Sequence, residues 1–199
     1  MACMHARDMQ HHTYADYLRW SATSGNELID GAVYVGEPPA PSRIHQEVIV
    51  ELCRQVATAL LNKSRRAYVA PFDVRLPKDG ALGDDQIDTV VQPDILITGD
   101  LQKLDDRGMC GAPEWIAEVL SPSTANYDRT TKLHAYERAG VPEVWLVDLA
   151  ARTVAIYRMA AGHYTRAVLL QLRGQTALTS VPGVSIDWDC LLAVIRQSR

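Results

Sequence analysis

Two acidic residues and one lysine stand out as groups that could do chemistry together. Asp94 lies in the run Val-Val-Gln-Pro-Asp-Ile-Leu-Ile (90–97), and Glu118 lies in the run Trp-Ile-Ala-Glu-Val-Leu-Ser (115–121). Both runs are apolar enough to predict buried strands, where an ionised carboxylate costs several kcal/mol unless another charge compensates it. Two such carboxylates brought together call for a cation, and Lys132 follows a short way along the chain.

The local sequence directs both carboxylates toward a common place. Pro93 removes a ladder hydrogen bond, so its strand must bulge, bend or lie at a sheet edge just before Asp94. Glu118 is near the end of its strand, and a neighbouring strand would set it beside Asp94, with the backbone carbonyl of Val119 as a third oxygen. Hard oxygen ligands suit Mg²⁺ or Mn²⁺, and magnesium is commonly held by one or two carboxylates together with water and substrate phosphate.

Lys132 is predicted to lie about two turns into a helix. Ser121-Pro122-Ser123-Thr124 offers capping oxygens for the start of that helix, and Gly140 ends it. Asp128 precedes Lys132 by four residues and Tyr136 follows it by four, so the three side chains share one helical face. The lysine could orient an attacking water and stabilise charge on a pentavalent phosphorus. This layout is typical of metal-dependent phosphodiester hydrolysis.

The remaining patterns predict the elements that must position these groups. An Asp30-Gly31 turn predicts a hairpin over 27–35. Apolar spacing and punctuation predict helices and strands in alternation, which makes a mixed α/β fold in which helices flank a mixed sheet. The helices are expected over 13–20, 44–61, 121–140 and 188–195, the strands over 67–76, 90–98, 115–120, 143–149, 153–158 and 164–172, and polar loops over 77–89 and 99–112.

Length and composition predict a single folded domain. The chain has 199 residues, of which 47% are apolar and 22% charged, enough for one full hydrophobic core. We expect residues 13–199 to form that domain and residues 1–12 to be a flexible leader, in which Met9 could be the true start. The scattered histidines of this leader, His5, His11 and His12, are given no function.

Charge and cysteine content restrict the class of partner and compartment. The net charge of −4 gives no global attraction to nucleic acid, so a polyanion would need a local basic patch or a bound metal ion. Four widely spaced cysteines indicate neither a zinc site nor a disulfide framework, and no apolar run approaches bilayer length. These features favour a reduced, cytoplasmic setting without membrane insertion.

Several runs carry a resemblance to a known family. The chain closely resembles the Uma-two family of predicted endonucleases, which is placed in the PD-(D/E)XK superfamily typified by restriction endonucleases. The resemblance implies a restriction-endonuclease-like core, here with an N-terminal β-hairpin extension, and covers nearly everything from Thr13 onward. It is carried by Val-Val-Gln-Pro-Asp (90–94), Gly-Ala-Pro-Glu-Trp-Ile-Ala-Glu-Val-Leu-Ser-Pro-Ser-Thr (111–124), Gly-Val-Pro-Glu-Val-Trp-Leu-Val-Asp (140–148), Glu-Leu-Ile-Asp-Gly (27–31), Pro-Ser-Arg-Ile-His (41–45) and Phe-Asp-Val-Arg-Leu (72–76), together with Asp128, Lys132 and Tyr136.

Carried over residue by residue, the resemblance makes Asp94 the first acid of the motif and Glu118 the second, both as metal ligands. The standard motif has a lysine two positions after the second acid, but Leu120 occupies that position here. Members of this family are thought to supply the lysine from the following helix, which points to Lys132. A minor departure is Val144, where relatives often have tyrosine.

Each of these three assignments has a structural alternative. Asp94 could cap a turn, and Glu118 could pair with Lys132 in a structural salt bridge. Lys132 could instead pair with Asp128 on a solvated helix face.

Four further residues are candidates for supporting positions around the acids. His45, in the first turn of its helix, could bind or orient water, or could serve only for capping or packing. Glu27 and Asp73 could support the metal site, but they equally suit a hairpin salt bridge and a strand end. Asp128 could support Lys132 from the same helical face.

Two functions from different classes follow from this pattern. The favoured one is a Mg²⁺- or Mn²⁺-dependent endonuclease that acts on nucleic acid, DNA rather than RNA, and a homodimer would let two sites cut two strands. The other is a catalytically silent member of the fold that binds nucleic acid or protein. Basic residues that could contact phosphates, or could simply be solvated surface charge, are Arg43, Lys63, Arg65, Arg66, Arg129 and Arg138.

Overall fold

The computed structural model describes residues 10–20, 25–35, 42–78 and 83–197. In these ranges the helices are α1 (Tyr14–Tyr17), α2 (Arg43–Ala59), α3 (Ala125–Tyr127), α4 (Leu133–Arg138) and α5 (Trp188–Gln197), with a 3-10 turn at Leu101–Lys103 and a π-helical turn at Asp128–Lys132. The strands are β1 (Asn26–Ile29), β2 (Ala32–Val35), β3 (Arg66–Val69), β4 (Val74–Arg75), β5 (Val90–Val91), β6 (Ile95–Thr98), β7 (Leu104–Asp105), β8 (Gly108–Cys110), β9 (Trp115–Val119), β10 (Glu143–Asp148), β11 (Thr153–Ala160), β12 (His163–Tyr164), β13 (Val168–Gln171), β14 (Gln175–Ala177) and β15 (Ser185–Asp187).

The described strands form two larger sheets and a small β14–β15 hairpin. The first sheet has the order β2-β1-β5-β4-β8-β7. The second has the order β12-β11-β10-β9-β6-β3, and β13 pairs with β11. The β9–β10 pair is parallel, whereas β9–β6 and β10–β11 are antiparallel, so the second sheet is mixed. The predicted mixed α/β class is confirmed.

Strand β9 shows why the second acid faces the helix that carries Lys132. Successive side chains of a strand point to opposite faces of the sheet. Trp115, Ala117 and Val119 belong to one apolar cluster with residues of α2 and α5. Ile116 and Leu120 belong to a second cluster with Ala135 and Tyr136 of α4. Glu118, between Ala117 and Val119, is therefore directed to the α4 side of the sheet.

The predicted N-terminal hairpin is present and extends the first sheet. Strands β1 and β2 pair antiparallel with Ile29 opposite Ala32, and Leu28 of β1 pairs with Val90 of β5. The two turn residues both have positive φ, 52° at Asp30 and 77° at Gly31. Two consecutive positive φ values are what a tight hairpin turn requires, and the Asp-Gly pair supplies them at low cost. The hairpin thus reaches the segment that precedes Asp94.

Three predicted strands were too long. The chain expected as one strand over 67–76 forms β3 and β4, which lie in different sheets, and the chain over 90–98 likewise forms β5 and β6. Each break coincides with a proline, Pro71 or Pro93, which has no amide hydrogen to donate to a ladder. The segment 164–172 is similarly divided between β12 and β13, and the predicted loop 99–112 contains β7 and β8.

Part of the predicted leader contacts the hairpin. Residues 1–9, which include His5 and Met9, lie outside the described residues. The amide of His12 donates to the carbonyl of Gly31 at 2.9 Å, and His11 Nε2 lies 3.3 Å from Asp88 Oδ2.

In the described ranges no helix is long and apolar enough to cross a membrane. The domain boundary at residue 13 stays a prediction.

Candidate active site

The two predicted acids lie side by side at the end of β6. Strands β6 and β9 are antiparallel with Ile95 opposite Ala117, which brings Asp94 next to Glu118. The amide of Asp94 donates to Glu118 Oε2 at 3.2 Å. The amide of Val119 donates to Asp94 Oδ2 at 2.7 Å. These two hydrogen bonds fix the acids relative to each other through the backbone.

Lys132 reaches the second acid, Glu118, from the helical side. Its Nζ lies 2.7 Å from Glu118 Oε1 and 3.1 Å from Glu27 Oε1. The hydroxyl of Tyr136 donates to the same Oε1 of Glu118. Lys132 is only 4% exposed. The alternative in which it pairs with Asp128 on a solvated face is therefore excluded, whereas the alternative of a buried Glu118–Lys132 pair describes the contact that is present.

A π-helical turn places this lysine. The predicted helix over 121–140 is α3 followed by the π-helical turn Asp128–Lys132 and then α4. Such single turns widen a helix locally and are frequent at functional sites. Asp128, Lys132 and Tyr136 are all buried, as expected for residues on one inward face.

Burial gives the acids of this site unusual proton affinities. Burial raises the pKa of the Glu118 carboxyl to about 8, with the Lys132 ammonium opposing this shift and the charge of Asp94 adding to it. Burial likewise raises the pKa of Asp128 to about 6, against the opposing effect of Lys132. Burial alone would lower the pKa of Lys132, but the charges of Glu118 and the other carboxylates raise it well above its usual value.

The acidic groups of this cluster outnumber its ammonium group. Four carboxylates interact with one another here, those of Glu27, Asp94, Glu118 and Asp128. Among the described residues, Lys132 is the ammonium that shares this buried space with them. The excess of acidic groups is relieved either by protons, as the raised pKa of Glu118 indicates, or by binding of a further cation.

His45 contacts the first acid from the other side of the sheet. It lies in the first turn of α2, where its amide donates to the capping oxygen of Ser42 at 3.2 Å. Its Nε2 lies 3.4 Å from Asp94 Oδ1. Burial alone would lower the pKa of His45, but the hydrogen bond and charge of Asp94 raise it. The residue thus combines a place at the helix start with a side-chain contact to the site.

Of the two remaining candidates, Glu27 contacts the site directly and Asp73 does not. Glu27 Oε1 contacts Lys132 and also accepts from the amide of Gln92 at 2.6 Å. Asp73 lies one contact further out, where its Oδ1 accepts from Gln92 Nε2 at 2.8 Å and from the hydroxyl of Tyr17 at 3.0 Å. Asp73 therefore supports the segment before Asp94 and, in the hydrogen bonds of the described residues, does not touch either acid.

Sequence reasoning missed two residues of this site. Helical spacing predicts that Tyr136 shares a hydrogen-bonding face with Asp128 and Lys132, but it does not predict the hydrogen bond from Tyr136 to Glu118 on β9. Gln92 lies inside the motif Val-Val-Gln-Pro-Asp, yet nothing in its type indicated that it would link Glu27 to Asp73.

Comparison with known proteins identifies the family of this chain and a solved structure of similar fold. The Uma2 family model, described as "Putative restriction endonuclease", matches residues 14–193. The chain belongs to the Uma2 family. A solved structure of similar fold is described as a "putative nuclease belonging to DUF820 from Anabaena variabilis ATCC 29413"; it has a TM-score of 0.72 and 18% identity, with 92% of this chain and 98% of that chain covered. The search of curated proteins found no match.

These findings confirm the family and the fold class expected for this Uma2 protein. At 18% identity the likeness to the Anabaena structure shows the fold alone. The roles of individual residues in the Uma2 chain therefore rest on its own geometry and stay predictions.

The donor set of the Uma2 chain fits a hard divalent ion. Among the described residues, no group of three or more His, Cys, Asp and Glu side chains is arranged to hold a metal ion. Magnesium, however, needs only one or two protein carboxylates. Asp94 Oδ2 and Glu118 Oε2 each accept one amide hydrogen, which leaves further lone pairs. The N–H and C=O of a strand residue face the same neighbour, so the Val119 carbonyl is directed to the side of Asp94.

The basic residues expected to contact phosphate are all engaged within the Uma2 chain. Four form ion pairs and two donate to backbone carbonyls. The ion pairs are Arg43–Glu47, Arg65–Glu114, Arg129–Asp148 and Arg138–Asp30, and the donors to carbonyls are Lys63 to Gly183 and Arg66 to Lys63 and Arg65.

Proposed function

We propose that this chain is a Mg²⁺- or Mn²⁺-dependent endonuclease that hydrolyses phosphodiester bonds in DNA. The observation that carries the proposal is the contact of Asp94 with Glu118 at a strand end, with the buried ammonium of Lys132 against the second acid. DNA is favoured over RNA because the description of the Uma2 family is that of a restriction endonuclease.

Asp94 and Glu118 would hold the divalent ion, with the Val119 carbonyl as a third oxygen. When bound, such an ion supplies a water of lowered pKa and neutralises charge on the phosphate. Tyr136 and Lys132 both hold Glu118 Oε1, which leaves Oε2 directed toward Asp94. The two acids are thereby oriented before any substrate arrives.

Lys132 would act by its charge rather than as a base. Its pKa is raised by the surrounding carboxylates, so the side chain is an ammonium at neutral pH. An ammonium held in a buried site can orient the attacking water and stabilise negative charge that develops on phosphorus. The position of the ammonium matters more than the element that carries it.

One observation favours the alternative of a catalytically silent binding module. The Glu118–Lys132 pair satisfies both partners without a metal ion, as structural ion pairs do. This alternative predicts that no nucleic acid is cleaved, whether or not a divalent ion binds at Glu118. The two functions therefore differ in a measurable way.

Cleavage and metal titration together test the proposal. Supercoiled plasmid and oligonucleotides of DNA and RNA are incubated with Mg²⁺, Mn²⁺ or EDTA, and ion binding is followed by calorimetry. We expect ion-dependent cutting of DNA, with both cutting and ion binding lost in Asp94→Ala and Glu118→Ala. The matched control is Glu51→Gln, because Glu51 is also buried and pairs with Arg54 at 2.7 Å on α2. Ion binding without cleavage of any substrate would favour the silent module.

A further inference from the structure

We propose that Glu27, contributed by the N-terminal hairpin, positions the Lys132 ammonium for the reaction. The inference rests on the proposed nuclease function and assigns Glu27 to the lysine rather than to the metal ion. Glu27 lies on β1 of the first sheet, whereas Asp94 and Glu118 lie on strands β6 and β9 or at their ends in the second sheet. The hairpin is then part of the active centre and not only an extension of the fold.

Contact and burial support this assignment. Lys132 Nζ lies 3.1 Å from Glu27 Oε1, and the exposed fractions of the residues are 4% for Lys132 and 5% for Glu27. Salt screens buried pairs much less than exposed ones. The ammonium is therefore held from two directions, by Glu118 on one strand and by Glu27 on another.

Glu27 is itself fixed to the motif that carries the first acid. Its Oε1 accepts from the amide of Gln92 at 2.6 Å, two residues before Asp94. The side chain of Gln92 is held in turn by Asp73 and is 3.3 Å from the hydroxyl of Tyr17. Through this chain of contacts, the position of the ammonium is tied to the backbone that presents Asp94.

The Lys132 ammonium needs a second carboxylate because Glu118 would interact with both the ammonium and the divalent ion. A divalent ion at Asp94 and Glu118 would withdraw negative charge from Lys132 and would repel its ammonium as a like charge. Glu27 Oε1 contacts the Lys132 ammonium and accepts from the Gln92 amide, which holds this carboxylate beside the lysine. Glu27 thus keeps the ammonium in place when Glu118 also binds the ion.

Four variants test the inference: Glu27→Gln, Lys132→Met, the double variant, and Glu51→Gln as the control. Glutamine keeps the shape of Glu27 and an oxygen for the Gln92 amide but removes the charge. We expect Glu27→Gln to lower kcat on plasmid DNA by about 100-fold, because the lysine loses its position. KM for DNA and the affinity for Mn²⁺ by calorimetry should change little. Glu51→Gln, which also removes a buried ion-paired carboxylate, should leave kcat, KM and Mn²⁺ affinity unchanged.

The double variant separates positioning from a merely structural salt bridge. With Lys132→Met already present, Glu27→Gln should produce no further loss of kcat. A wild-type kcat in Glu27→Gln, or equal losses in both backgrounds, would overturn the inference. So would a loss of Mn²⁺ affinity in Glu27→Gln, because that would place Glu27 on the ion.

If the wild-type protein cleaves no nucleic acid, the proposed function is refuted but the contact between Glu27 and Lys132 can still be tested. The test is then unfolding in urea. Glu27→Gln should then lower the urea midpoint of the wild-type chain but not that of Lys132→Met, because the contact partner is already absent. Equal shifts of the midpoint in both backgrounds would show that Glu27 does not hold Lys132.

Discussion

Asp94 and Glu118 are joined in both directions through the backbone. The amide of Asp94 donates to the Glu118 carboxylate, and the Asp94 carboxylate accepts from the amide that follows Glu118. Each acid therefore depends on the other strand for its orientation. A change in the pairing of β6 with β9 would displace both acids together.

Tyr136→Phe is expected to weaken the site without dismantling it. The change removes a hydroxyl that donates to Glu118 Oε1 inside the buried cluster. Leaving a buried polar group without its hydrogen-bond partner costs about 1–3 kcal/mol, so the free energy of unfolding should fall by that amount. The rate of DNA cleavage should fall as well, because Glu118 loses one of the two side chains, Tyr136 and Lys132, that fix the position of its carboxyl group. Tyr164→Phe is the control, since Tyr164 donates to the carbonyl of Val141 at 2.9 Å; it should affect stability and spare cleavage.

The metal-free protein is expected to lose stability as pH rises from about 4.5 to 8. Burial raises the Glu118 pKa from 4.5 to about 8, so between these values the folded state binds more protons than the unfolded state. The free energy of unfolding then decreases with pH. Asp128, with a pKa raised from 3.8 to about 6, acts in the same direction at lower pH. Urea unfolding in EDTA between pH 4.5 and 8.5 measures the slope.

Glu118→Gln provides the comparison for this pH profile. The variant has no carboxyl to titrate at position 118, so its slope between pH 6 and 8 should be smaller than that of the wild-type protein. Identical slopes in the two proteins would contradict the assignment of the raised pKa to Glu118.

Lys132→Met is expected to destabilise the folded protein strongly and to respond to divalent ions. Removing one partner of a buried ion pair costs about 3–5 kcal/mol, because a charge is left uncompensated. Here Glu118 and Glu27 both lose their cation. Mn²⁺ should restore part of the lost thermal stability, because it supplies positive charge to the same carboxylates. A melting temperature that is the same with Mn²⁺ and with EDTA would argue against an ion site at Glu118.

Gly31→Ala is expected to affect cleavage through the hairpin. Gly31 has φ of 77°, and a Cβ there would lie 2.3 Å from an atom of the His11 ring. Alanine at positive φ should lower the free energy of unfolding by about 1 kcal/mol or more. Because Glu27 is on the same hairpin, the cleavage rate should fall too.

Gly162→Ala is the matched control for the hairpin variant. Gly162 also has positive φ, 84°, but a Cβ there meets nothing within 4 Å. It should lower stability and leave the specific activity of the folded protein unchanged. Equal losses of activity in Gly31→Ala and Gly162→Ala would show that the hairpin does not act on the site.

The acids could be predicted from sequence because their signals are local. Pro93 marks the bend before Asp94, and the apolar run around Glu118 predicts a buried strand whose carboxylate needs a partner. The position of Lys132 also follows from local spacing, since helix punctuation and residues at i−4 and i+4 define its face. The structure brings these three residues together.

Contacts that depend on sheet order could not be predicted in this way. Glu27 meets Lys132 only because β1 pairs with β5, an arrangement between segments about sixty residues apart in sequence. The division of 67–76 and 90–98 between two sheets is likewise a property of the whole fold, although Pro71 and Pro93 mark where the breaks occur. The π-helical turn at Asp128–Lys132 has no signature in the residue types alone.

Two of the passages of the chain from one sheet to the other, at residues 70–73 and 92–94, meet at Asp94, which is itself part of the second passage. The amide of Ala70 donates to the carbonyl of Asp94 at 3.2 Å, and this hydrogen bond joins the two passages. Affinity tags or reporter domains inserted at either passage would pull the two carboxylates apart. The turn at 161–162, between β11 and β12, is the better point of attachment, because it joins strands at the opposite edge of the second sheet from β3.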